Sequence, residues 1–158
     1  MEIKICKAEP SDIAGIAEIL RELGWFTRMA AETPAETRAH IASQLNLCQA
    51  DESHSIFVAR AEDATVLGYV SIHWIPYLIH TGPEGYISEL FIHSRARGQG
   101  VGSRLLETAE TEGRRRGCTR LALLNMRQRE SYQREFYSRH GWVERPEAAN
   151  FLKYLGDH

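Results

Sequence analysis

The stretch Glu89-Leu90-Phe91-Ile92-His93-Ser94-Arg95-Ala96-Arg97-Gly98-Gln99-Gly100-Val101-Gly102-Ser103 decides how the chain is read. It begins as an apolar strand and passes through a glycine-rich turn. It continues as a helix, since Val101, Leu105, Leu106 and Ala109 fall at helical spacing. Glycines at 98, 100 and 102 let the backbone come close to a ligand and adopt conformations that a Cβ blocks. The start of a helix supplies N–H groups and the positive end of its dipole. Arg97 adds a charged, forked donor. Together these features form a cradle for a diphosphate. A Walker loop would place Gly-Lys-Ser/Thr after its second glycine, and a Rossmann loop would follow the first strand as Gly-x-Gly-x-x-Gly. Here the glycines are spaced by two and the turn follows four predicted strands, which disfavours nucleotide hydrolysis and hydride transfer.

The elements around this stretch alternate between sheet and helix. Ile3–Lys7 reads as a first strand, and Pro10-Ser11-Asp12 opens a helix whose apolar face is Ile13, Ile16, Ala17, Leu20 and Leu23, stopped by Gly24. Trp25 and Phe26 fall in the loop beyond. Thr33-Pro34-Ala35-Glu36 has capping-box spacing and starts a second helix, with Ala35, Ala39, Ala42 and Leu45 inward and an end near Leu47. Ser55–Ala61 and Val66–Trp74 alternate as strands about a turn at Glu62-Asp63-Ala64. Residues 75–85 read as a loop and Tyr86–His93 as a strand. The helix Val101–Arg116 closes at Gly117; Arg120–Leu124 is a strand, Glu130 to His140 a helix, and Phe151–Leu155 a final strand. The order β-α-α-β-β-β-α-β-α-β predicts a mixed α/β sheet in a single domain, residues 1–158.

Length and composition set the outer bounds. With 158 residues and 43% hydrophobic side chains, the chain suffices for one self-supporting core. No apolar run approaches the ~18 residues of a membrane helix, and no signal segment opens the chain, so a membrane role is not expected. Cys6, Cys48 and Cys118 are few and scattered, which suits a reduced, cytoplasmic setting. The seven histidines show no ligand spacing, so no metal is expected. The net charge of -2 hides an asymmetry: -7 over residues 1–94, +6 over 95–139 and -1 over 140–158. A basic segment suits a phosphate-bearing ligand, and an acidic one can steer a cation, although solvated faces would produce the same split. Arg114-Arg115-Arg116 ends a helix, where cations complement the dipole, so no nucleic-acid partner is expected.

Arg97-x-x-Gly100-x-Gly102 resembles the acyl-CoA signature of the GNAT superfamily of N-acetyltransferases. Phe136-Tyr137-Ser138-Arg139-His140-Gly141-Trp142 resembles that family's second signature, Phe-Tyr-x-x-x-Gly-aromatic. The likeness covers essentially the whole chain and is specific over residues 86–142. It implies a mostly antiparallel sheet of six to seven strands flanked by about four helices, splayed between its fourth and fifth strands. It also implies acetyl-CoA as cosubstrate, with pantetheine against backbone groups of Phe91, Ile92 and His93. The diphosphate would meet Arg97, Gly98, Gln99, Gly100, Val101, Gly102 and Ser103, and Asn125 is a weaker contact, since it could instead turn the chain. Dimers are common in the family, and the sequence identifies no interface. A non-catalytic acyl-CoA sensor on the same fold is the rival reading.

Acetyl transfer to an amine by direct attack needs two proton movements. The acceptor ammonium must lose a proton, and the departing sulfur gains from a nearby acid. Glu89 interrupts an apolar strand on a face with Ile87 and Phe91, and burial would raise its pKa to a useful level for a base. A structural carboxylate is the alternative, with Glu84, His73 or a water chain in reserve. By resemblance Tyr137 is the acid, or else a hydroxyl that only orients the sulfur. By resemblance the acceptor enters from the side built by the first two helices and the 75–85 loop, which here supply Trp25, Phe26, Trp74, Tyr77 and Glu84. Aromatic walls with carboxylates suit a cationic amine, small or peptidic. The alternative is that these aromatics close the core.

Overall fold

The computed structural model describes residues 2–156. The chain falls into two compact units, Met1–Leu123 and Leu124–His158. The first contains β1 (Ile3–Lys7), α1 (Ile13–Leu23), α2 (Thr27–Ala31), α3 (Pro34–Cys48), β2 (His54–Ala61), β3 (Val66–Ile75), β4 (Glu84–Ile92), α4 (Val101–Arg115) and β5 (Arg120–Leu123). Among the described residues its sheet has five strands in the order β1-β2-β3-β4-β5. Successive pairs are antiparallel up to β4, and β4 and β5 are parallel. A parallel pair needs a crossover, and α4 supplies it.

Each sheet face has its own helical cover. Ile16, Ala17, Ile19 and Leu20 of α1 and Ile41 and Leu45 of α3 cluster with Val58, Val66 and Tyr69. On the other face, Leu105 of α4 packs close to Gly68 and Ile92, and Gly113 lies against Leu121. Ile19 and Leu105 are 1% and 0% exposed. Side chains so deeply buried contribute about 1.5–3 kcal/mol each.

Local signals account for the helix ends. Thr33 and Glu36 form both bonds of a capping box, Thr33 N–H to Glu36 Oε2 at 2.7 Å and Glu36 N–H to Thr33 Oγ1 at 3.2 Å. The buried face of α3 is Thr37, Ile41 and Leu45; Ala35 and Ala39 point outward, contrary to expectation. Thr37 goes inward because its hydroxyl is satisfied there, accepting from Arg21 Nη1 at 2.9 Å and donating to Glu32 Oε2 at 3.0 Å. The segment Pro10–Asp12 forms a short 3-10 turn before α1. Asp12 serves less as a cap than as an anchor, held by Glu9 N–H at 2.7 Å and by Arg60 Nε at 2.7 Å.

The second unit holds α5 (Glu130–Gln133) and α6 (Phe136–Arg139). The single helix expected over 130–140 is broken because Glu135 adopts φ +56°, in the left-handed region. The strand expected at Phe151–Leu155 does not form. Phe151 and Leu155 are 90% and 93% exposed, and the segment pairs with no strand among the described residues. Without a ladder, apolar alternation alone does not make a strand. Against the six to seven strands expected, the described residues form five, and α2, in a stretch expected to be loop, is an addition.

Candidate active site

One irregularity in β4 decides where its side chains point. Ser71 opposes Glu89 while Ile72 opposes Ile87, so Ser88 is an extra residue, a β-bulge. Glu89 therefore lies with Tyr69, Ser71 and Phe91 toward α1 and α3, and Ile87 lies with Ile72 toward α4. The expected shared face of Glu89 and Phe91 is present; the one with Ile87 is not, because simple alternation cannot register an inserted residue. His73 Nε2 holds the bulge residue by its Ser88 Oγ at 2.7 Å, and the His73 ring meets His54 edge-on at 4.5 Å.

Tyr69 is 2% exposed, and its hydroxyl donates to Glu89 Oε1 at 3.3 Å. Burial pushes Glu89 above the usual carboxylate range, and the Tyr69 hydrogen bond pulls the other way. Burial, then the Glu89 charge, hold the Tyr69 phenol well above its ordinary value, so it remains a donor. Burial and the same charge raise the Cys48 thiol at the end of α3. Two residues along the strand, Phe91 is ringed by Trp25 at 5.7 Å, Phe26 at 6.3 Å and Tyr69 at 6.0 Å. Arg21 fixes the segment that follows Trp25 and Phe26, donating from Nη1 to the carbonyls of Met29 at 2.9 Å and Glu32 at 3.0 Å.

The backbone of β4 divides its groups between two sides. His93 N–H donates to Leu67 O at 2.9 Å, and its carbonyl accepts from Ala96 N–H at 2.9 Å. In this register Phe91 and Tyr69 form the next hydrogen-bonded pair, and Leu90 and Ile92 turn their N–H and C=O groups away from β3. On that side β5 pairs only as far as Ile87. Of the three residues expected against the pantetheine, Ile92, like Leu90, turns its backbone groups away from β3, whereas those of Phe91 face β3 and those of His93 bond Leu67 and Ala96. The His93 side chain turns to α1, with Nε2 3.0 Å from Glu18 Oε1 and Nδ1 3.2 Å from Glu22 Oε2.

Beyond β4 the glycine turn has the geometry its composition suggests. Gly98 and Gly100 adopt φ +73° and +77°, and a Cβ at either position would meet nothing within 4 Å. Gln99 staples the turn, its Nε2 donating to Arg95 O at 2.8 Å. Val101, 1% exposed, anchors the start of α4 in the core. The bond from Arg104 N–H to Gly100 O begins the helical ladder, so the N–H groups of Val101 and Gly102 precede it. Ser103 completes that first turn. Arg97 is exposed and forms no ion pair among the described residues. Open space, helix N-terminus and an exposed arginine fit a diphosphate, and the outward groups of Leu90 and Ile92 fit a pantetheine amide chain.

Other expected residues lie elsewhere. Trp74 is on the α4 face, 6% exposed, its Nε1 donating to Ser55 Oγ at 2.9 Å, with the Arg116 guanidinium 4.8 Å from the ring centre. It closes the core rather than joining the wall of Trp25, Phe26 and Phe91. Glu84 is the first residue of β4, not part of the preceding loop, and it is buried against Arg120 as an ion pair. Tyr77 stays in the β3–β4 loop, its ring 5.4 Å from His80. Arg114, Arg115 and Arg116 are matched by Glu110 and Glu112.

In the second unit, Asn125 Oδ1 accepts from Ser131 Oγ at 2.9 Å, a local turn contact. Tyr137 packs against Phe136 at 5.0 Å and Trp142 at 5.9 Å, and burial pushes its phenol up to about 12. Trp142 N–H donates to Tyr137 O at 3.1 Å, which ties the two ends of the Phe-Tyr-x-x-x-Gly-Trp stretch together.

A sequence model described as "Acetyltransferase (GNAT) family" matches residues 17–142. The aminoalkylphosphonate N-acetyltransferase of Salmonella typhimurium is 37% identical over 80 residues, 50% of this chain and 51% of that protein. The chain thus spans about half the length of that curated relative. The thialysine N-epsilon-acetyltransferase of Mus musculus is 23% identical over 130 residues, 77% of this chain and 75% of that protein. A solved structure titled as a transcriptional regulator from Bacillus halodurans C-125 superposes with a TM-score of 0.81 at 22% identity, covering 98% of this chain and all of that one, which is a likeness of fold.

Proposed function

The chain belongs to the acetyltransferase (GNAT) family, and from that premise we propose that it is an acetyl-CoA-dependent N-acetyltransferase acting on a small cationic amine in a ternary complex. The observation that carries this is the continuous path from the outward backbone of Leu90 and Ile92 to the open glycine turn and the N-terminus of α4. Residues Arg97 to Ser103 would hold the diphosphate, Leu90 and Ile92 the pantetheine. When bound, acetyl-CoA supplies the thioester carbonyl that the amine attacks. Glu89, with its raised pKa, is the base that takes the ammonium proton. Tyr137 is protonated at neutral pH and is the donor to the departing sulfur. Trp25, Phe26 and Phe91 offer ring faces for the cationic part of the acceptor. The two relatives are named for acetylating aminoalkylphosphonates and thialysine, both amines, which supports this acceptor class. We take residues 1–158 as one catalytic domain, since the family match spans both units, and place it in the cytoplasm with its three free thiols.

The test is calorimetric titration with acetyl-CoA, with ATP and NAD as controls, followed by a panel of amines read by CoA release. Saturable binding of acetyl-CoA alone and turnover with a cationic amine are expected. A folded protein that does not bind acetyl-CoA would overturn the assignment. If the acidic first 94 residues steer the acceptor, kcat/KM falls as salt rises.

A further inference from the structure

We propose that Tyr69 is a positioning residue for Glu89: its hydroxyl occupies Oε1 and leaves Oε2 as the oxygen that receives the proton of the acceptor amine. This rests on the reading of Glu89 as the base. The bulge at Ser88 places Glu89 opposite Ser71, so Tyr69, opposite Phe91, reaches it along the cross-strand diagonal. Tyr69 is held in one orientation by burial and by its edge contact with Phe91, and its hydroxyl has Glu89 as its one hydrogen-bond partner among the described residues. Glu89 is half-buried and its pKa is raised by that burial, and one fixed phenol O–H takes the place of part of its water shell. The group cannot compete for the proton, because the phenol stays protonated far above neutral pH.

Among the described residues, Tyr69 from β3 hydrogen-bonds Glu89 and the Cys48 thiol from α3 feels its charge. On α1, Glu18 and Glu22 are engaged with His93 and Ser94, and on α2 Arg28 pairs with Glu32. The step is a simple proton transfer. The N–H bond of the ammonium breaks, its electron pair stays on nitrogen, and the proton bonds to Oε2; the neutral carboxylic acid later returns it to water.

The test is the pH dependence of kcat/KM for the acceptor in wild type, Tyr69→Phe and Glu89→Gln, with melting temperatures to confirm folding. Removing the hydroxyl is expected to move the acid limb up by about one unit, a loss of about tenfold on the acid side that recovers toward the alkaline plateau. Glu89→Gln should abolish that limb. If Tyr69→Phe leaves the limb in place, or lowers kcat/KM equally at every pH, while Glu89→Gln removes the limb, the role of Tyr69 is overturned and the base stands. If the limb persists in Glu89→Gln, the base reading itself fails.

Discussion

Replacing Gly100 by alanine isolates the conformational strain of the glycine turn from any clash. The residue sits at φ +77° and an added Cβ would meet nothing within 4 Å, so the cost is that of the left-handed backbone alone. For an L-residue that is about 1–2 kcal/mol. Two fates are open to this energy. If the turn keeps its shape, the strain appears as lost stability, lowering Tm by about 2–8 °C in a chain of this size. If the turn relaxes, binding must restore it, and the acetyl-CoA Kd weakens by up to about 5–30-fold. The two losses together should amount to about the same 1–2 kcal/mol. Gly117 provides the matched control, with φ +74° and the same open surroundings, but at the far end of α4. Gly117→Ala should lose stability only. The assay pairs scanning calorimetry with acetyl-CoA titration on both variants. If Gly100→Ala moves neither Tm nor Kd, or if Gly117→Ala weakens binding as much, the account of the turn is wrong.

Other perturbations probe separate parts of the structure. Tyr137→Phe should lower kcat by about a hundredfold while leaving the acetyl-CoA Kd within about twofold, which stopped-flow turnover and calorimetry would show; unchanged turnover removes Tyr137 from the chemistry. Asp12→Ala strips the nearly buried partner of Arg60 and should cost about 3 kcal/mol, read as a lower urea midpoint; a loss under about 1 kcal/mol would mean that Glu9 alone satisfies the guanidinium. Hydrogen bonds from Arg115 and Arg116 hold Glu112 at about 2, below the ordinary glutamate value of 4.5. A depressed folded-state pKa means that its stabilisation is complete above about 4.5 and is lost as pH falls toward about 2. The Tm gap between wild type and Glu112→Gln should therefore close over that window; a gap that is constant with pH refutes it.

Much of the first unit was legible from side-chain periodicity and caps. The alternation of β3 and the Thr33–Glu36 box need only neighbours in sequence, and both elements form where expected. The glycine turn was legible for the same reason: its residues are consecutive and its left-handed backbone is written in glycine. What escaped depends on register between strands. Nothing in the residues around Ser88 marks it as the extra residue, so the facing of Ile87 and the outward backbone of Leu90 could not be read. Trp74 was misplaced because an aromatic in an alternating strand fits either face, and its partners Ser55 and Arg116 lie far away in sequence. Tyr69 was within reach, since it alternates with Ser71 and His73 on the more polar side of β3, but its partner depended on the bulge. The 130–155 region failed for a different reason: both expected elements had the right composition, but Glu135 leaves the helical basin and Phe151–Leu155 has no ladder.

The bulge at Ser88 acts as a change of parity within a single strand. In an unbroken strand, residues two apart serve the same layer, so a carboxylate at 89 would have to share its side with the aliphatic at 87 that seals the opposite layer against Ile72. One supernumerary residue separates the two demands. Upstream the strand obeys the needs of packing, and downstream it is free to carry a polar group into the aromatic layer. Substitutions nearby change one side chain at a time, whereas a frame-preserving insertion or deletion between Ile87 and Glu89 alters the parity itself. Length changes at this point should therefore be tolerated far less than any exchange of residue type.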